Sequence, residues 1–275
     1  EVLGGLSAIP GGAPFGAGVV LTATTDGLRV WDDTEPGHRT LLSLTPPPGE
    51  ARLDGSIAVS VAKALVVAGD TTGHVHFWDI GNPRAPRLLA SVQAHSDWVD
   101  ALAFDRTGTK LVATSDDASI TFWDLSAGIP DAPVSRLADL GGFVYSAAFS
   151  PDGTTLVASV LSGSVLLVDV SDLAHAAMIG SPLHGPVGYV YTSAFSPDGT
   201  TIAASGNDSS IWLWDVSDPA HPAALGRPLL WADGYASSLA FSPDGNRLAA
   251  GMTDGSVRLW DVTTPAAPVR WATLT

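Results

Sequence analysis

The chain has 275 residues, no cysteine and a formal net charge of -15. This excludes disulfides and thiolate metal sites, and it makes nucleic acid an unfavourable partner, because 28 acidic residues against 13 basic ones repel a phosphate backbone. Apolar residues make up 45% and charged ones 15%, a balance that supports a large core and argues against disorder.

The chain opens "EVLGGLSAIP", without an initiator Met or a signal pattern, and is expected to be a piece of something longer or processed. No run of about eighteen apolar residues is present to cross a bilayer as a helix. Six short runs then follow in order, each fit for a strand leading into a turn: "LSAIPGG", "SIAVSVAK", "ALAFDRTG", "SAAFSPDG", "SAFSPDG" and "SLAFSPDG". Each unit closes its third strand on a Trp-Asp pair or its equivalent: Trp31-Asp32, Trp78-Asp79, Trp123-Asp124, Val168-Asp169, Trp214-Asp215 and Trp260-Asp261. The fifth unit is the clearest. "YVYTSAF", "TIAAS", "SIWLWDV" and "AALGRPL" read as four strands, separated by the turn signals "SPDG", "NDS" and "SDPAHP". A period of about 46 residues is that of a repeat array in which each unit needs neighbours to cover its apolar faces. Short strands joined by tight turns make each unit an antiparallel meander, and radial repetition of such sheets makes a β-propeller.

The phrase "AFSPDG…LAAGMTDGSVRLWDV" resembles the WD-repeat family of β-propellers, over essentially the whole chain. The resemblance implies one all-β domain over residues 1–275, with six four-stranded antiparallel blades at about 1–46, 47–93, 94–139, 140–185, 186–231 and 232–275. The chain then begins on an inner strand (Leu3 to Ile9) and ends on an outer one (Val269 to Leu274). A seven-bladed ring completed outside this chain is the alternative. The family also implies a buried tetrad of His, Ser or Thr, Asp and Trp, and only one unit matches throughout: His95, Ser115, Asp117 and Trp123. Unit four has Val168 and Ser162 in the Trp and Asp positions, and unit two has Thr72 in the Asp position. Gly206 and Met252 replace the hydroxyl in units five and six, and His184 stands two residues too far from its strand.

No GxSxG, HExxH, GxxxxGK or GxGxxG run occurs, so no enzymatic activity, cofactor or metal is expected. The Trp-Asp carboxylates fall one to a unit, and the "SPDG" aspartates Asp152, Asp198 and Asp244 have a turn-capping role available. His74 and His76 share a strand face and could chelate a metal, but with no third ligand aimed at them they read as solvent-facing.

One column is aromatic. Six residues before the first-strand Phe of units three to six stand Trp98, Phe143, Tyr189 and Tyr235, and two positions on, units four and five add Tyr145 and Tyr191. In the family these positions face the surface that receives partners, so the column reads either as a binding rim or as core between blades. Trp231 and Asp233 join the rim on the first reading, and Asp97, Asp100 and Asp233 then favour a partner carrying Lys or Arg. The leading expectation is a non-catalytic scaffold or sensor propeller that binds a protein or peptide. It would be a monomeric, cytoplasmic domain of a larger bacterial signalling protein, resembling the arrays that follow effector domains there. A small-molecule or glycan binder using the aromatic rim is the alternative, and an enzyme with a site around the channel is a third.

Overall fold

A computed structural model describes residues 6–8, 19–35, 38–47, 52–231 and 234–275, with side chains except at 6–8, 33–35, 38–39 and 54–55. Among them the chain is all-β, with one 3-10 turn at Leu173–His175, and its strands form six antiparallel sheets in sequence order. Two compact units divide them, Glu1–Ala138 and Asp139–Thr275.

In the first unit, sheet 1 comprises Leu6–Ala8, Val19–Thr24, Gly27–Glu35 and His38–Thr45. Sheet 2 comprises Leu53–Ser60, Leu65–Asp70, His74–Asp79 and Arg87–Gln93. Sheet 3 comprises Val99–Phe104, Lys110–Ser115, Ile120–Asp124 and Ser135–Leu137. The second and third strands are apolar on both faces because a sheet lies against each. Ala58, Val67, Val75 and Phe77 of sheet 2 pack on Leu111, Ala113 and Trp123 of sheet 3, with Phe77 edge-on to Trp123 at 5.6 Å. A buried ring of that size contributes on the order of 4 kcal/mol.

In the second unit, sheet 4 runs Val144–Phe149, Thr155–Val160 and Ser164–Asp169, sheet 5 runs Val190–Phe195, Thr201–Gly206 and Ser210–Asp215, and sheet 6 runs Ala236–Phe241, Arg247–Met252, Val257–Asp261 and Val269–Leu274. The expectation of one continuous fourth strand fails in sheets 4 and 5. There it is two fragments, Ala177–Met178 with Leu183–His184 and Ala223–Ala224 with Leu229–Leu230, both paired to the third strand. "GSP" and "GRP" break it: Gly180 and Gly226 take φ of 64° and 66°, and the prolines cannot donate to the ladder.

The acidic turn residues are structural. Asp152, Asp198 and Asp244 each accept from the serine two residues before them and from the backbone two residues after. Asp215 and Asp261 of the Trp-Asp pairs accept the following Ser217 and Thr263 in the same way. Close packing also explains a glycine. A Cβ on Gly185 would lie 2.7 Å from the Trp214 ring and 2.8 Å from Trp212, two rings stacked at 6.1 Å. Gly185→Ala is therefore expected to cost about 1–3 kcal/mol through overpacking, read from the midpoint of chemical unfolding.

Candidate functional site

Sheet 3 carries the polar network that the sequence assigns to His95, Ser115, Asp117 and Trp123, with one member changed. His95 Nδ1 lies 3.2 Å from Asp117 and 3.0 Å from Ser119 Oγ, which donates to Asp117 at 2.5 Å. On the other side of the ring Thr121 Oγ1 is 3.0 Å from His95 Nε2 and accepts the Trp123 indole N–H at 3.1 Å. Thr121, not Ser115, is the hydroxyl between His and Trp. Ser115 instead accepts the Asp117 backbone N–H at 3.0 Å and reaches the Asp97 carbonyl at 3.4 Å. The reason is strand periodicity: Thr121 stands two residues before Trp123 and shares its face. Burial lowers the His95 pKa, against the opposing pull of Asp117, while Asp117 is held at about 2: burial would raise it, but bonds from Ser119, Ser96 and His95 outweigh that.

The same column differs in every other sheet: Arg29, His76, Leu166, Trp212 and Arg258. His76 corrects the solvent-facing expectation. It is buried, because its strand has a sheet on both faces, and its Nε2 lies 2.9 Å from the fully buried Asp70. Asp70 also takes the Thr72 and His74 backbone N–H groups. His76 is thus tied to one carboxylate, and no group of three metal-ligating side chains exists among the described residues. In sheet 6, Arg258 bonds Asp254 at 2.9 Å and lies 5.5 Å from the Trp231 ring, which itself sits 6.2 Å from Trp260. Trp231, which follows the last fragment of sheet 5, is accordingly half-buried against sheet 6, with its indole N–H on the Gly234 carbonyl. Asp233 lies outside the described residues.

The aromatic column is held by a recurring pair of features. Trp98, Phe143, Tyr189 and Tyr235 each accept, through the backbone carbonyl, the N–H of a residue in the turn after the second strand: Asp116, Leu161, Asn207 and Thr253. The Asn207 and Thr253 side-chain oxygens in turn accept the backbone N–H of Tyr189 and Tyr235. Immediately beyond, the ladder shifts register past one residue: Asp100, Tyr145, Tyr191 and Ser237. Such bulges re-aim a side chain that strict alternation would send elsewhere.

In the second unit this gathers tyrosines from three consecutive sheets. Tyr191 stacks on Tyr235 at 4.6 Å and 21°, meets Tyr145 at 5.7 Å and 84°, and meets Tyr189 at 6.3 Å and 69°. These are all four tyrosines of the chain. Burial, the Tyr235 hydroxyl bonded to it and the other two phenols raise the Tyr191 pKa, so it stays a protonated donor at neutral pH. Trp98, Phe143, Tyr145 and Tyr189 are 40–48% exposed, too much for core packing between sheets. In the first unit Trp98 is flanked by Asp97, which accepts its backbone N–H, and by half-buried Asp100, hydrogen-bonded to Asp116. Burial, then the Asp97 and Asp117 charges, raise the Asp116 pKa.

Clefts lie elsewhere among the described residues. One of about 560 Å³ sits between the turns of sheets 4 and 5, lined by Ser150, Asp152, Phe195, Asp198, Val216 and Pro219, and one of about 330 Å³ lies beside Trp271. No tyrosine lines either. The profile of the WD domain, G-beta repeat, matches residues 86–124, 134–169, 179–215 and 232–261, a little over half of the chain.

The chain belongs to the WD-repeat family. Its six sheets are the blades of a WD-repeat β-propeller fold, including the first two, which the profile leaves largely unmatched. WD repeat-containing protein 1 of Xenopus tropicalis is 27% identical over 161 residues, and that of Bos taurus 26% identical; each alignment takes 57% of this chain and 25% of the relative. Nuclear distribution protein PAC1-2 of Uncinocarpus reesii (strain UAMH 1704) is 35% identical over 69 residues, 25% of this chain and 14% of the relative. The matched region therefore spans a quarter or less of these relatives' length. WD-repeat proteins commonly act as protein-interaction scaffolds, and no helix among the described residues is long and apolar enough to cross a membrane.

Proposed function

We propose that this chain is a non-catalytic protein-interaction module whose binding surface is the tyrosine cluster of Tyr145, Tyr189, Tyr191 and Tyr235, with Phe143 beside it. The observation that carries this reading is the gathering of every tyrosine in the chain into one partly exposed cluster. Tyrosine buries a large area at low entropic cost and is enriched among residues that dominate interface energetics. A partly exposed aromatic surface with no tyrosine in either of those clefts favours a protein over a small molecule. Trp98 between Asp97 and Asp100 is a second contact region, suited to a basic group. We place the module in a larger bacterial signalling protein of the cytoplasm; the preference for Arg over Lys, with abundant Ala, Gly and Pro, supports the bacterial source.

The test is a pull-down from source-cell lysate with the wild-type chain and with Tyr145→Ala/Tyr189→Ala, both followed by thermal melts. The two rings are surface-exposed, so the variant is expected to keep its stability within about 1 kcal/mol while retention of a specific protein falls at least ~30-fold. Equal retention by both forms would remove the tyrosines from the interface.

A further inference from the structure

Resting on that reading of the cluster as a protein-binding surface, we propose that its partner is a proline-rich segment in the polyproline II conformation, flanked by Lys or Arg. The cluster offers aromatic faces and phenol hydroxyls. Tyr145 and Tyr189 stand at 84° and 69° to Tyr191, so the three rings present differently oriented faces rather than one continuous plate. Proline rings pack against such faces without burying a backbone N–H, because they have none.

Hydrogen bonding separates the possible peptide conformations. A polyproline II strand makes no internal hydrogen bonds, so its carbonyls are free to accept. A helix has already engaged most of its carbonyls internally, and phenol donors would find few acceptors on its face. The polyproline strand is also pre-ordered, which lowers the entropic cost of binding.

Charge selects the flanks. Residues 139–275 contain twelve aspartates, no glutamate, no lysine and four arginines. Two of those arginines are already held, Arg247 by Asp261 and Arg258 by Asp254. Beside the cluster itself Asp208 accepts the Val187 backbone N–H two residues before Tyr189, so a basic residue on the incoming segment meets a carboxylate there within a negative overall field, which speeds encounter and disfavours acidic competitors.

The experiment is a fluorescence-polarisation titration of the intact chain with a dye-labelled decapeptide of alternating proline pairs and single alanines, ended by arginines. A control peptide has every proline replaced by alanine at equal charge. The proline peptide is expected to bind at least tenfold more tightly than the control. Tyr189→Phe, which keeps the ring and removes one donor, is expected to weaken binding about 2–10-fold, the equivalent of one neutral hydrogen bond, and Tyr145→Ala/Tyr189→Ala at least ~30-fold. Equal binding of both peptides would reduce recognition to charge and overturn the proposal.

If neither peptide binds while the double variant still loses its lysate partner, the polyproline assignment falls and the protein-binding surface stands. If instead the chain binds an oligosaccharide array and the double variant does not, both fall in favour of a glycan.

Discussion

Replacing Thr121 by valine is expected to destabilise the fold by about 2–4 kcal/mol, whereas Ser115→Ala costs about 1 kcal/mol. The difference follows from what each hydroxyl touches. Thr121 Oγ1 sits between the Trp123 indole N–H and His95 Nε2, both on fully or nearly fully buried residues. Valine has nearly the same shape, so packing is kept, but the substitution strands a buried donor and a buried acceptor at about 1–3 kcal/mol each. Ser115 accepts one turn N–H at 3.0 Å and makes one long contact at 3.4 Å, so its loss is that of an ordinary hydrogen bond. Urea unfolding of the two variants beside wild type checks the order. Ser115→Ala proving the costlier would return Ser115 to the centre of the network and Thr121 to its edge.

That reversal marks where the sequence is legible and where it is not. The six sheets were readable because the Trp-Asp pair and the strand-turn signal recur with one period, and each recurrence needs only local chemistry: alternation, a tight turn and an aspartate that caps it. Sheets 1 and 2 could be found this way although they depart from the repeat profile. Side-chain pairing was less readable, since it depends on which face a residue shares. The position two before each tryptophan carries the clue, because period two puts it on the tryptophan's face. Its occupants, Arg29, His76, Thr121, Leu166, Trp212 and Arg258, diverge more than the strand around them.

Exposure misled at two residues. His76 looked like a surface residue because it alternates with His74, yet the third strand is covered on both faces, so alternation does not expose one side. The aromatic column was visible as a column, but the stacking of Tyr191 on Tyr235 was not. It needs a bulge at Tyr191 and contact between the first strands of neighbouring sheets, neither of which a single repeat specifies. Trp231 was assigned to the rim for its neighbourhood in the chain, whereas its ring lies over Arg258 and beside Trp260.

Sheet 2 supplies the second large effect, with a pH signature. Asp70 is fully buried and takes four donors: the backbone N–H groups of Thr72 and His74, the Thr72 hydroxyl, and His76 Nε2 at 2.9 Å. Asp70→Ala strands the buried His76 Nε2 and takes the acceptor from the Thr72 and His74 turn N–H groups, and is expected to cost about 3–5 kcal/mol at pH 7. Burial by itself raises the Asp70 pKa, but the bonds from His76, His74 and Thr72 outweigh it and hold the group at about 2. In the unfolded chain it titrates near the ordinary value of 3.8. Between these values the unfolded chain binds the extra proton, so the stabilisation is complete above about pH 4 and is lost as pH falls toward 2. The interval corresponds to about 2 kcal/mol. The gap between wild type and Asp70→Ala should therefore be constant from pH 7 to about pH 4.5 and then shrink by roughly that amount toward pH 2. Asp117, held at about 2 in sheet 3, weakens both proteins over the same range and cancels in the difference. Denaturant titrations at pH 7, 4.5 and 2.5 measure it. A gap that stays unchanged on acidification would mean that the Asp70 carboxyl titrates alike in the folded and unfolded chain, and one that widens would mean that it is already protonated in the fold.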